Sequence, residues 1–141
     1  MLISLTLRYI GVALDPEVIT NTLGVSPTEC RKKGEKVVSP SGKTRIIKKG
    51  YWEWCVKSDC DDLTEGQAES GIQLDKLVTD FDIDFHAVIS LLNTQPNCEY
   101  SWIDIHIVSD ELGAPVSFPL SSKSMSILGK TGLLIDFTIT Q

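Results

Sequence analysis

No apolar run in the chain approaches the roughly 18–20 residues that a helix needs to cross a bilayer, which excludes a helical membrane anchor. The first residues, Met1-Leu2-Ile3-Ser4-Leu5-Thr6-Leu7-Arg8-Tyr9, carry no early positive charge and no small-residue cleavage site, so the reading is of a cytoplasmic protein without an export signal. Cys30, Cys55, Cys60 and Cys98 form no CxxC pair, and in a reducing compartment they are expected to be free thiols. A zinc site built from Cys55, Cys60, Cys98, His86 and His106 would lack finger spacing, because the closest cysteine pair has four intervening residues and no second pair matches it. No motif fixes a reaction, a ligand or a cofactor.

What is present is alternation. In Tyr100-Ser101-Trp102-Ile103-Asp104-Ile105-His106-Ile107-Val108 the three isoleucines point one way, and Trp102, Asp104 and His106 the other. Such a period of two marks a strand buried on one face. The same pattern sets Ile3, Leu5, Leu7 and Tyr9 inward on a first strand, Trp52, Trp54 and Val56 on a second, and Leu133, Ile135, Phe137 and Ile139 on a last. Their outward partners are Ser4, Thr6 and Arg8, then Tyr51, Glu53, Cys55 and Lys57, then Leu134, Asp136, Thr138 and Thr140.

Helices are expected between these strands. Asp15-Pro16-Glu17 supplies an N-cap, a proline where the missing N–H costs nothing and an acid near the positive helix end, and Gly24 suits the left-handed closing position. Leu74, Leu77, Val78 and Phe81, then Phe85, Val88, Ile89 and Leu92, recur at helical spacing. The alternation of Phe81-Asp82-Ile83-Asp84 between them predicts two helices broken near Asp82, with Asp84 capping the second. A serine-rich helix is expected from about Ser121 to Leu128, and Pro115-Val116-Ser117-Phe118 reads as a short edge strand.

With 141 residues the chain suits one domain over 1–141. Strand, helix ending Leu23-Gly24, strand is echoed by strand, helix ending Leu128-Gly129, strand. The expected fold is α+β: a ferredoxin-like single sheet of about four long strands with helices on one face, plus a basic β-hairpin insertion.

Charge is zoned. Between Arg31 and Lys49 lie eight cations (Arg31, Lys32, Lys33, Lys36, Lys43, Arg45, Lys48 and Lys49) against Glu35, a balance of +7. Lys36-Val37-Val38 and Thr44-Arg45-Ile46-Ile47 flank the turn Ser39-Pro40-Ser41-Gly42, so this zone, about 31–50, reads as a basic hairpin. Between Asp59 and Asp84 nine acids (Asp59, Asp61, Asp62, Glu65, Glu69, Asp75, Asp80, Asp82 and Asp84) face Lys76 alone, a balance of −8 across an acidic loop and helices at about 58–93.

The chain resembles an uncharacterised bacterial family, the domain-of-unknown-function 4279 family. The resemblance rests on Asp15-Pro16-Glu17, on Leu23-Gly24-Val25-Ser26-Pro27-Thr28, on Gly34 in its basic context, on Gly50 and Trp52, and on Gly132 followed by Leu134-Ile135-Asp136-Phe137. These are caps, turns and core positions, and the family brings no catalytic residues with it. What it implies is a small cytoplasmic domain, some relatives of which look like immunity proteins encoded beside bacterial toxins.

Two surfaces therefore become candidate partner-binding sites. One is the polar sheet face, with Arg8, Glu53, Asp104, His106 and Asp136 around Trp102; an aromatic ringed by charges suits a protein contact. The other is the acidic zone, represented by Asp59, Asp61, Asp62, Asp80, Asp82 and Asp84, which complements the basic cleft of a nucleic-acid-cleaving toxin. The expected function is a non-catalytic protein-binding domain, an immunity-type inhibitor whose partner is a basic toxin domain encoded nearby. The alternative is nucleic-acid binding by the hairpin at 31–49, which the acidic total and the lack of interleaved aromatics disfavour. A small hydrolase or metal protein is the third reading: His106 with Asp104 or Asp136 resembles a base and its orienting carboxylate, but an open sheet face excludes water poorly.

Overall fold

The computed structural model describes residues 2–59, 67–81, 83–108 and 119–140. In chain order the elements are β1 (Leu2–Gly11), α1 (Pro16–Leu23), β2 (Glu29–Arg31), β3 (Lys36–Val38), β4 (Thr44–Ile46), β5 (Gly50–Asp59), α2 (Gln67–Asp80), α3 (Phe85–Thr94), β6 (Tyr100–Val108), α4 (Ser122–Gly129) and β7 (Leu134–Thr140). The class is mixed α and β: the sheet has the order β2-β5-β1-β6-β7, and β3 and β4 form a separate two-stranded sheet. β2 runs antiparallel to β5, whereas β6 and β7 are parallel. The chain divides into two compact units, one of Leu7–Trp54 with Asp84–Ser101, the other of Met1–Thr6, Cys55–Ile83 and Trp102–Gln141.

In the first of these units, α1 begins where the sequence places it. Asp15 accepts from the Glu17 amide at 3.1 Å, Pro16 stands in the first turn, and Gly24 closes the helix at φ 71°. α1 packs on α3, whose N-cap Asp84 accepts from the amides of His86 and Ala87. The core holds Tyr9, Ile19, Trp52, Val88 and Leu91. Trp52 is fully buried, stands edge-on to Tyr9 at 6.0 Å, and donates its indole N–H to Thr20 Oγ1 at 3.0 Å. That bond satisfies the one polar atom of the largest core side chain. Gly11 is required by proximity, since a Cβ there would collide with the backbone carbonyl of Asn97.

The basic hairpin forms as expected: Lys36 faces Ile46, Val37 faces Arg45, Val38 faces Thr44, and the turn closes through Gly42 N–H to Ser39 O at 2.8 Å. The three-residue β2, Glu29-Cys30-Arg31, was not expected; it is too short to show a period and is recognised only by its pairing with Tyr51, Trp52 and Glu53.

In the other unit, Ile103, Ile105 and Ile107 are buried as their alternation requires, together with Ile3, Leu5, Leu74, Leu77, Val78, Phe81 and Leu128. α2 packs on α4. The bond is polar at its centre: Asp75 on α2 accepts from the hydroxyls of Ser121, at 2.7 Å, and Ser124, and Ser121 also caps α4 through the Ser124 amide. In sequence the polar, acidic stretch from Asp59 to Gly71 reads as a loop, whereas α2 begins at Gln67; the polar composition hid the start of the helix, which becomes visible in sequence only where Leu74 starts the apolar period. The helix break near Asp82 is present, with α2 ending at Asp80 and α3 starting at Phe85. The expected edge strand at Pro115–Phe118 lies outside the described residues.

Candidate functional site

Parallel pairing of β6 with β7 assembles the most distinctive surface. Its register sets Trp102 beside Leu134, Asp104 beside Asp136, and His106 beside Thr138. Neighbouring strands lie about 4.8 Å apart, so each pair is in side-chain reach on the same face of the sheet. The other parity aligns Ile103 with Ile135, Ile105 with Phe137 and Ile107 with Ile139.

Exposure differs sharply across this pair. Asp104, on the inner strand, is only 9% exposed, while Asp136 on the sheet's last strand is open to solvent. Trp102 and His106 are half-buried, and Leu134 is 72% exposed. The expectation of a wholly solvated polar face is corrected at this point: Ser4 and Thr6 on β1 are buried too, because β1 and β6 are interior strands with neighbours on both sides. His106 is hydrogen-bonded through Nε2 to Thr140 Oγ1 at 3.0 Å, and its backbone carbonyl accepts from Ser4 Oγ at 3.5 Å. Among the described residues Asp136 forms no ion pair and no side-chain hydrogen bond, although it lies beside a second carboxylate. Like charges directly opposite one another on neighbouring strands are destabilising.

Arg8 and Glu53 belong to the unit of Leu7–Trp54 and pair with each other, Nε to Oε1 at 3.5 Å. Among the acids, Asp84 is engaged as the cap of α3, Asp80 is an exposed residue at the end of α2, and Asp59 ends β5. Asp61, Asp62 and Asp82 lie outside the described residues. Asp75 is held below the usual aspartate range by the Ser124 hydroxyl first and the Ser121 hydroxyl second.

The basic zone is partly neutralised within its own unit. Lys32 lies 3.4 Å from Asp15 and 3.3 Å from Glu17, Arg31 lies 3.7 Å from Glu35, and Lys49 binds Glu99. The Lys49 contact raises the lysine's pKa and lowers that of Glu99, whose other oxygen accepts from the Val12 amide. Lys33, Lys36, Lys43, Arg45 and Lys48 form no ion pair among the described residues. On the hairpin, Val38 and Ile46 are exposed beside these cations.

Nothing in the described residues groups three or more His, Cys, Asp or Glu side chains into a metal cage. Cys30 and Cys98 are free thiols among the described residues, and burial pushes the Cys98 thiol up. No described helix is long and apolar enough to cross a membrane. Leu134, exposed beside Trp102, lies outside the set of residues that the sequence marks for partner binding. Its signal was legible, because it is a leucine at the polar parity of a strand.

A mixed α and β domain with a five-stranded mixed sheet and a small two-stranded sheet is the class that these features define. The chain belongs to the family Domain of unknown function (DUF4279), whose sequence model matches residues 1–141. No curated protein and no solved structure matches the chain.

Proposed function

We propose that the chain is a non-catalytic, cytoplasmic protein-binding domain, an immunity-type inhibitor that docks a basic bacterial toxin domain on the polar face of β6 and β7. The observation that carries this reading is Asp136, an exposed carboxylate that is set beside Asp104 and has no cation among the described residues. A basic partner would relieve that repulsion, and exposed Leu134 next to Trp102 offers the apolar centre that protein contacts favour. The same logic argues against catalysis here: His106 is tied to Thr140, and among the described residues no nucleophile is paired with its ring. In fold terms the reading keeps a ferredoxin-like origin on element order alone, each half running strand, helix, strand with its helix ending at Leu23-Gly24 or Leu128-Gly129. β1 neighbours β5 and β6 neighbours β7, instead of the split arrangement of that fold.

Co-expression with the product of the adjacent gene, followed by calorimetry, tests the proposal. A complex is expected, and Asp136→Asn and Leu134→Ser should each weaken it; no complex with any neighbour-encoded protein would remove the support. One second reading has its own observation. The five hairpin cations that form no ion pair among the described residues fit phosphate contacts, in which case affinity for duplex or single-stranded nucleic acid should fall steeply from low to physiological salt. Unchanged gel mobility at low salt would dismiss it.

A further inference from the structure

Among the described residues β2 and β7 form the two edges of the five-stranded sheet, and they are built differently. β2 ends one side with Glu29, Cys30 and Arg31, three residues of which two are charged. A short, charged strand is a standard protection against pairing with another chain. β7 ends the other side with seven residues, Leu134-Ile135-Asp136-Phe137-Thr138-Ile139-Thr140, and has one charge, no lysine and no proline. Its core-parity residues are uncovered as well, with Phe137 51% and Ile139 49% exposed although their register partners Ile105 and Ile107 are buried.

We propose that β7 is a self-association edge, and that two copies of this chain join their β7 strands antiparallel about a two-fold axis at Phe137. The occupant follows from the sequence of the strand, which is complementary to itself about that residue. In this register Phe137 meets Phe137, Ile135 meets Ile139, Asp136 meets Thr138, and Leu134 meets Thr140. Apolar side chains meet on the core-side face, and each carboxylate meets a hydroxyl. A register centred on Asp136 would set two carboxylates face to face, which cross-strand electrostatics disfavour. Each cross-strand pair occurs twice because the interface is isologous, so a favourable or unfavourable choice counts double. The inference concerns the strand's edge and its core-side face, and it stands whether or not the opposite face binds a toxin.

Sedimentation equilibrium of the full chain over a wide concentration range tests it. The wild type should approach twice the 15.5 kDa chain mass. Thr138→Asp opposes a second carboxylate to Asp136 of the other copy and should raise the dissociation constant, whereas Thr138→Lys opposes a cation and should lower it. Each shift should be roughly 2- to 30-fold, from two cross-strand pairs of the usual strength. Circular dichroism verifies folding of both variants, and the opposite signs keep the test decisive if one of them fails to fold. A monomeric wild type at every concentration, as would follow if another segment of the chain filled the edge, overturns the proposal. So does a dimer that neither substitution moves, or that both move in the same direction.

Discussion

The Leu7–Trp54 and Asp84–Ser101 unit and the β6–β7 pair treat the same kinds of residue in opposite ways. In the former, the aromatic of the alternating strand, Trp52, is fully buried with its N–H bonded, and the charges around the core are matched, Arg8 with Glu53, Lys32 with Asp15 and Glu17, and Lys49 with Glu99, while the cations of the hairpin are left open among the described residues. In the latter, the aromatic of the alternating strand, Phe137, is half exposed, Leu134 is in solvent, and Asp136, which forms no ion pair among the described residues, lies beside Asp104. Residues that serve the fold are covered and compensated, and residues left uncovered and uncompensated on a regular strand are where a second molecule has most to gain.

The contrast can be broken most readily at its aromatics. Trp52→Ala should cost about 3–5 kcal/mol in urea unfolding, because it opens a cavity against Tyr9, while Phe137→Ala, measured at concentrations low enough to keep the chain monomeric, should cost below about 1 kcal/mol. Equal losses would erase the distinction. Thr20→Val keeps the volume near Trp52 but removes the acceptor of its indole N–H, and should cost about 1–3 kcal/mol by leaving a buried donor unsatisfied. Asp15→Ala and Asp84→Ala should each cost about 1 kcal/mol, with helix content reporting the frayed ends of α1 and α3.

Acidification sharpens the comparison further. Asp75 and Glu99 both have folded-state pKa values below the ordinary carboxylate values, through the Ser124 and Ser121 hydroxyls and through Lys49 respectively. Their contributions are therefore complete above the unfolded-state pKa and are lost as pH falls through the lower folded-state values. Carboxyl titration by NMR should place both below unpaired aspartates and glutamates of this chain, and Asp75→Asn should flatten the acid limb of stability. The effect is small, since both groups are close to solvent.

Much of the frame was legible in the sequence because it obeys local rules. The period of two in Tyr100–Val108 located β6 and its core isoleucines, and the Asp15-Pro16 and Asp84 signals located the starts of α1 and α3. Alternation reports which face a side chain takes, however, and not whether anything lies over it. Phe137 and Asp104 show this from both directions: Phe137 has the parity of the core yet is exposed on an edge strand, and Asp104 has the polar parity yet is buried on an interior one. Strand order decides coverage, and it depends on pairings between segments far apart in the chain. The bonds from Ser121 and Ser124 to Asp75 were hidden for the same reason, since 46 and 49 residues separate the partners. β2 is too short to carry any period.

If Asp136 serves a partner and not the fold, its carboxylate is dispensable for stability. Urea unfolding of Asp136→Asn, on monomeric protein at neutral pH, tests this directly. Relief of the repulsion from Asp104 should leave stability unchanged or raise it by a few tenths of a kcal/mol. A loss of about 1 kcal/mol or more would show that the Asp136 carboxylate stabilises this chain by itself, and would contradict the assignment of the β6–β7 face to binding.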